Sequence, residues 1–197
     1  MQEPYEVAAP DSALLFQMIH GNEGALRELF RRHERRLYAT ALGMTRTSWD
    51  AEEVVGTALL ELWRKRETVR LIDDSVLPWL LTVVAYAAKN QLRGRLRYQR
   101  LLSRVPRSGA EPDHADEVAR LIDNQTFTKE ITAALIDAGP QDASVILLCV
   151  VEEMSTRDAA LVLGVPEGTV KSRLSRAKAR LRVRLGGYST AIAEVSS

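Results

Sequence analysis

Apolar residues recur three and four positions apart along almost the whole chain, the repeat of helices with one buried face, and no stretch alternates convincingly as a strand would. Leu14, Leu15, Met18 and Ile19 predict a short helix over 11–20, broken at Gly21-Asn22. Leu26, Leu29, Phe30, His33 and Leu37 share one face of a helix over 23–43. Asp50, with Glu53 three residues on, reads as an N-cap. The helix it opens buries Val55, Ala58, Leu59, Leu62 and Trp63. Residues 67–75 read as a loop. Pro78 suits the first turn of the next helix, whose stripe is Leu77, Leu80, Val84, Ala88 and Leu92 and which runs into the arginines near 100. Further helices follow near 125–138, 141–151, 155–163 and 166–185. The predicted fold class is all-α: two small helical domains, 11–102 and 125–186, joined by a flexible linker over 103–124. Pro106, Ser108, Gly109, Pro112 and the acids of Glu111–Glu117 mark that linker.

The C-terminal pattern is the most specific. Ser155-Thr156-Arg157-Asp158 fits a capping box, and Gly164 can end the helix it opens in the left-handed conformation. Pro166 then suits a second helix start, with Val170, Leu174, Ala177, Leu181 and Leu185 as its apolar stripe. Helix, glycine turn and helix make a helix-turn-helix. Thr169, Ser172, Ser175, Arg176 and Ala179 fall opposite the stripe, where short and long-basic side chains allow close approach to base-pair edges. Lys171, Arg173, Lys178, Arg180, Arg182 and Arg184 flank that face, where phosphates would lie.

Net charge is only +1 over 197 residues, so the distribution matters more than the sum. From Lys89 to Arg107 every charged residue is basic, and the last third is basic again. The acidic stretch Glu111–Glu117 lies between them. Two basic blocks with an acidic spacer suggest two surfaces for a polyanion. No apolar run approaches the ~20 residues of a membrane span, and the first residues lack the pattern of a signal peptide. Cys149 sits in an apolar run and reads as a buried thiol, and His20, His33 and His114 have no ligand spacing for a metal. Glu52 and Glu53 point to different helix faces, and no nucleophile cluster or phosphate loop accompanies them, so no enzymatic activity and no cofactor is expected. The expected setting is cytoplasmic.

The chain resembles the extracytoplasmic-function group of bacterial sigma factors, of the sigma-70 family. The resemblance rests on Leu163 to Arg182, similar to the family's −35-reading segment in region 4. It rests also on Asp50-Ala51-Glu52-Glu53-Val54-Val55, similar to the polymerase-docking motif of region 2, and on Pro78-Trp79-Leu80-Leu81-Thr82-Val83 with its basic helix, similar to the part that melts and reads the −10 element. Gly56-Thr57 stands where the family commonly has Gln and an acid, Tyr86 where it often has Asn, Asn90 where it often has Asp, and Ala159 where Ile is usual.

The resemblance implies an alternative sigma factor that binds RNA polymerase core and promoter DNA, with an anti-sigma factor as a further partner and no membrane insertion. Asp50, Glu52, Glu53, Thr57, Leu60 and Glu61 would meet polymerase, Leu60 being an apolar anchor on an otherwise polar face. Tyr86, Lys89, Asn90, Arg93, Arg95 and Arg97 would serve the −10 element, beside a pocket formed by the loop Glu67–Ser75, while Trp79 belongs to the core. In the second domain Arg176 would contact guanine, Ser172 and Ser175 bases or phosphates, and Lys171, Arg173 and Lys178 phosphates. Backbone N–H groups at Gly168 and Thr169 would hold a further phosphate. Two alternatives use the same helices: an operator-binding helix-turn-helix regulator, whose first half is a sensor or dimerisation domain, and a chain whose first half is an interaction module without a role on DNA.

Overall fold

The computed structural model describes residues 9–102 and 126–184. The predicted linker over 103–124 and Leu185, the predicted end of the last stripe, lie outside the described residues. Eight α-helices stand among those described: α1 (Asp11–Ile19), α2 (Glu23–Thr45), α3 (Ser48–Lys65), α4 (Leu77–Leu102), α5 (Thr126–Asp137), α6 (Pro140–Ile146), α7 (Thr156–Leu163) and α8 (Glu167–Arg184). A π-helical turn, Leu147–Val151, continues α6, with the Glu152 N–H donating to the Leu147 carbonyl at 2.9 Å.

α2, α3 and α4 pack around one core in which Leu29, Leu37, Leu62, Leu80 and Leu81 are fully buried. Each such side chain contributes about 1.5–3 kcal/mol of transfer free energy. The α1 residues Leu14, Leu15 and Met18 close one end of it. The same apolar cluster runs on without a break into Ile131, Ala134 and Leu135 of α5, Ala143 and Ile146 of α6, and Ala177 and Leu181 of α8. A second cluster holds α7 against α6 and α8 through Val145, Leu148, Cys149, Ala159, Val162 and Val170. Trp79 of α4 is half-buried and packs against both clusters, so it is a core residue of the junction between the two halves. Leu163 and Leu174 are half-buried, and Leu161 of α7 is exposed.

The cap of α3 differs from the expectation. Thr47, not Asp50, is the N-cap: its Oγ1 accepts the Asp50 N–H at 3.2 Å and donates to Asp50 Oδ2 at 2.7 Å. Thr47-Ser48-Trp49-Asp50 has the same hydroxyl-to-acid spacing that identifies Ser155–Asp158, but Asp50 with Glu53 offers a competing frame. The Ser155 box forms as expected. Its Oγ accepts the Asp158 N–H at 3.1 Å and donates to the Asp158 carboxylate at 2.6 Å. Gly164 ends α7 at φ 64°, the left-handed cap that favours a residue without Cβ. Pro166 stands just outside α8, and its carbonyl accepts the Thr169 N–H at 2.9 Å.

Replacing the α3 cap, Thr47→Ala, is expected to lower stability by about 1 kcal/mol, read as a lower urea midpoint with an unchanged slope.

Candidate nucleic-acid interface

The exposed residues of α3 form a partner-like stripe. Trp49, Glu53, Gly56 and Leu60 follow one another at helical spacing and are all exposed, Trp49 at 77 % and Leu60 at 67 %. Glu52 and Thr57 are exposed beside it. Glu61 is half-buried and paired with Lys65 at 3.0 Å. Asp50 is turned inward: it is buried, and its carboxylate accepts from Gln91 at 3.1 Å and binds Arg95. Gln91 also donates to Glu53 at 2.7 Å, so this polar group ties α3 to α4. Trp49 is absent from the residues expected to meet polymerase, although its spacing from Glu53, Gly56 and Leu60 is visible in the sequence.

The residues expected to serve the −10 element separate into three directions. Tyr86, Asn90, Arg93 and Arg97 are exposed and lie at helical spacing along one stripe of α4. Arg95 points to α3 and Asp50. Lys89 is buried, and its Nζ donates to the Ile136 carbonyl in the last turn of α5. Lys89 is therefore not presented to a phosphate in this conformation, contrary to its expected role. Burial first, and then the nearby Arg93 charge, lowers the Lys89 ammonium from 10.5 to about 8. Tyr86 and Asn90 border an open depression of about 480 Å³ between α4 and α3, lined also by Trp79, Thr82, Thr57, Glu61 and Lys65. Residues assigned by sequence to polymerase and to DNA thus meet around one hollow.

On α8 the apolar and polar faces divide as expected. Val170, Ala177 and Leu181 are buried, while Gly168, Lys171, Ser172, Ser175 and Arg176 are exposed. Thr169, Arg173 and Lys178 are half-buried. Arg173 donates to Gln141 at 2.6 Å and Arg180 pairs with Asp142 at 3.4 Å, which fixes α8 on α6. Glu167 links α7 to α8 by accepting from Thr156 at 2.9 Å and binding Lys171 at 2.9 Å. These bonds, Lys171's first, hold the Glu167 carboxyl below its usual value. Burial pushes the Cys149 thiol up to about 11 against the opposing charge of Lys178, so it is an inert core group.

The two halves meet through cations as well as apolar surface. Arg36 of α2 pairs with Glu152 at 2.6 Å. Arg70, in the loop between α3 and α4, donates to the Leu161 carbonyl at 3.1 Å. Ile136 and Leu161 both lie in the last turn of a helix, where carbonyls lack intrahelical partners and the dipole favours a positive charge. Nothing in local sequence signals these pairs, because their members are tens of residues apart.

Lys89 gives this contact a pH dependence. A lysine whose value falls on docking binds its proton less tightly docked than free, so its charge opposes docking. The penalty is full below about 8 and fades as the pH rises above it. The halves are expected to associate more tightly across that window, read by energy transfer between labels on α2 and α8, and Lys89→Met is expected to flatten the profile.

Two segments of the chain match known families. Residues 29–98 match the family described as Sigma-70 region 2, and residues 139–181 match Sigma-70, region 4. The chain is 32 % identical over 186 residues to the ECF RNA polymerase sigma factor SigM of Mycobacterium tuberculosis, covering 92 % of this chain and 88 % of that protein. It is 33 % identical over 167 residues to SigL of the same species, also an ECF RNA polymerase sigma factor, covering 81 % and 88 %. Among solved structures, the sigma factor RpoE in complex with the anti-sigma factor NepR, from Bartonella quintana, has the same fold, with a TM-score of 0.54, 24 % identity, and coverage of 82 % of this chain and 97 % of that one.

Proposed function

The chain belongs to the extracytoplasmic-function sigma factors of the sigma-70 family, and from that membership we propose how its exposed faces divide the work of starting transcription. As a sigma factor it directs RNA polymerase to promoters, and bond formation is left to polymerase. The α3 stripe carrying Leu60, with Glu52, Glu53, Thr57 and Glu61 around it, docks on polymerase core. Trp49 extends this apolar contact. Asp50 acts from within, by fixing α3 on α4.

The α4 stripe serves the −10 element. Arg93 and Arg97 track the strand, and Tyr86 and Asn90 receive an unstacked base at the hollow they border. Arg95 and Lys89 join them only after leaving Asp50 and Ile136. On α8, Arg176 reads guanine in the major groove, with Ser172 and Ser175 beside it. Lys171, Arg173, Lys178 and the N–H groups at Gly168 and Thr169 hold phosphates. The observation that carries this reading is the presence of two separate exposed faces with basic residues, one in each family-matched segment.

Distance sets a further condition. Elements centred at −35 and −10 lie roughly 25 base pairs apart, or about 85 Å along a duplex. A compact chain of this length has a radius of gyration of about 16 Å and is about 40 Å across. The packed halves therefore part before both elements are engaged, and Arg70 and Lys89 are released toward DNA as they do. The likeness to a complex containing an anti-sigma factor supports a partner of that kind here. Its place of action is the cytoplasm, with polymerase and promoter DNA.

Transcription with bacterial core polymerase and a genomic promoter library tests the reading. Chain-dependent starts sharing two upstream elements are expected. Leu60→Asp is expected to abolish them while the purified chain keeps its thermal transition; full activity of that variant would reject the docking assignment. Arg176→Ala is expected to relax one position of the upstream element, at a cost of about 1–3 kcal/mol in discrimination.

For the parting of the halves, Glu152→Arg is expected to raise the radius of gyration in solution scattering, and adding Arg36→Glu to restore it. Equal radii for all three chains would count against that pair as a clasp.

A further inference from the structure

Asp11 opens α1, outside the segment matched to region 2, yet its carboxylate ends in the middle of that unit. It is 3 % exposed. Oδ1 accepts from Arg32 of α2 at 2.7 Å. Oδ2 lies 2.7 Å from His33 Nε2 and accepts the Val76 N–H at 3.0 Å, with the Ser75 hydroxyl at 3.4 Å. One carboxylate therefore joins α1 and α2 to the end of the loop between α3 and α4.

That loop is built to be held at this point. Ile72 and Ser75 exchange backbone hydrogen bonds at 3.2 and 2.9 Å around Asp73 and Asp74, both at positive φ, so the chain reverses tightly just before Ser75. Ser75 Oγ then accepts the Leu77 N–H at 3.1 Å at the first turn of α4. The exposed residues Glu67, Thr68, Arg70, Asp73 and Asp74 are presented from this loop, and Tyr86, Asn90, Arg93 and Arg97 from the helix that follows. An apolar side chain at position 11 would fasten α1 to α2 at least as cheaply as a buried ion. Only a carboxylate offers one oxygen to Arg32 and the other to His33 and the Val76 N–H at the same time, and so both anchors α1 and orients Ser75.

We propose that Asp11 is a positioning residue for −10 recognition, setting from α1 the placement of the loop 67–76 and of the first turn of α4. The inference rests on the −10 reading proposed for the α4 stripe, together with the resemblance's expectation that the loop Glu67–Ser75 serves the same element. Burial alone would raise the Asp11 carboxyl, but the Val76 N–H, then His33 and Arg32, outweigh it and hold it below 3.8, so it stays an anion at neutral pH.

The test uses the full chain with core polymerase on a promoter from which it starts. Three quantities are read: core affinity, permanganate reactivity of unpaired thymines, and the ratio of opening on the native −10 element to opening on single-base variants. Asp11→Asn is expected to leave core affinity within about twofold while strand opening falls about tenfold and the ratio collapses toward one. Loss of core affinity and opening together with an unchanged ratio, or no change in either, would overturn the proposal. Should Asp11→Asn fail to fold, Ser75→Ala, which removes only a hydroxyl, is expected to lower the ratio about threefold, and a ratio that stays at its original value would count against Asp11 in the same way. Arg32→Gln is expected to lower thermal stability with the ratio unchanged; a drop matching that of Asp11→Asn would mean the effect travels through α2 and would also reject the proposal. Glu67→Ala and Thr68→Ala separate the underlying reading. If neither they nor Tyr86→Ala alters the ratio, the −10 assignment of the loop and helix fails, and the role of Asp11 fails with it.

Discussion

Burial of the α4 stripe Leu80, Leu81, Val84, Ala85 and Ala88 is the constraint on which the remaining surfaces depend. Once those five side chains face α2 and α3, the rotation of α4 is fixed, because its residues advance by a set angle. Everything else on the helix is then assigned a direction. Tyr86, Asn90, Arg93 and Arg97 must look outward. Gln91 and Arg95 must meet α3, where Asp50 accepts them. Lys89 must meet the C-terminal half. A single change in that rotation would displace the exposed stripe from Tyr86 to Arg97, the α3 brace and the contact with α5 together.

The cations show a second economy. Arg70 and Lys89 occupy helix C-terminal carbonyls in the packed form, where partial negative charge collects and no intrahelical donor exists. A phosphate offers the same groups a full negative charge. In the proposed parting of the halves, DNA and the C-terminal half compete for the same side chains, and the pair Arg36–Glu152 adds a salt-screened attraction between the halves. The apolar junction around Trp79 and Ile131 sets how tightly the halves hold. In the proposed opening, that junction becomes apolar surface for polymerase or an inhibitory partner to cover.

The buried polar groups explain why the N-terminal unit needs α1. A carboxylate in an apolar interior is costly unless each oxygen has a donor. Asp11 draws its donors from α2 and the α3–α4 connection, so α1 fixes the connection as well as covering the core. Asp50 does the corresponding work on the other side, between α3 and α4. Two inward acids thus fix the elements that present the outward-facing residues.

Helical periodicity and capping chemistry are local, and they were legible in the chain by itself: the order of the helices, the left-handed turn at Gly164, the Ser155 cap and the exposed face of α8. The motifs around Asp50, Trp79 and Thr169 also pointed to the family in which the chain is found. Local pattern went astray at α3, where two acids offered competing cap frames and Thr47 supplied the better oxygen. It also treated Lys89, Arg93, Arg95 and Arg97 as one basic group, because composition records charge and not direction. Only the tertiary structure separated them, turned Asp50 inward, brought Asp11 to Val76 and set Arg36 against Glu152. Each of those outcomes depends on which helix lies next to which, and that is decided by the fit of apolar surfaces across the whole chain rather than by any short stretch of it.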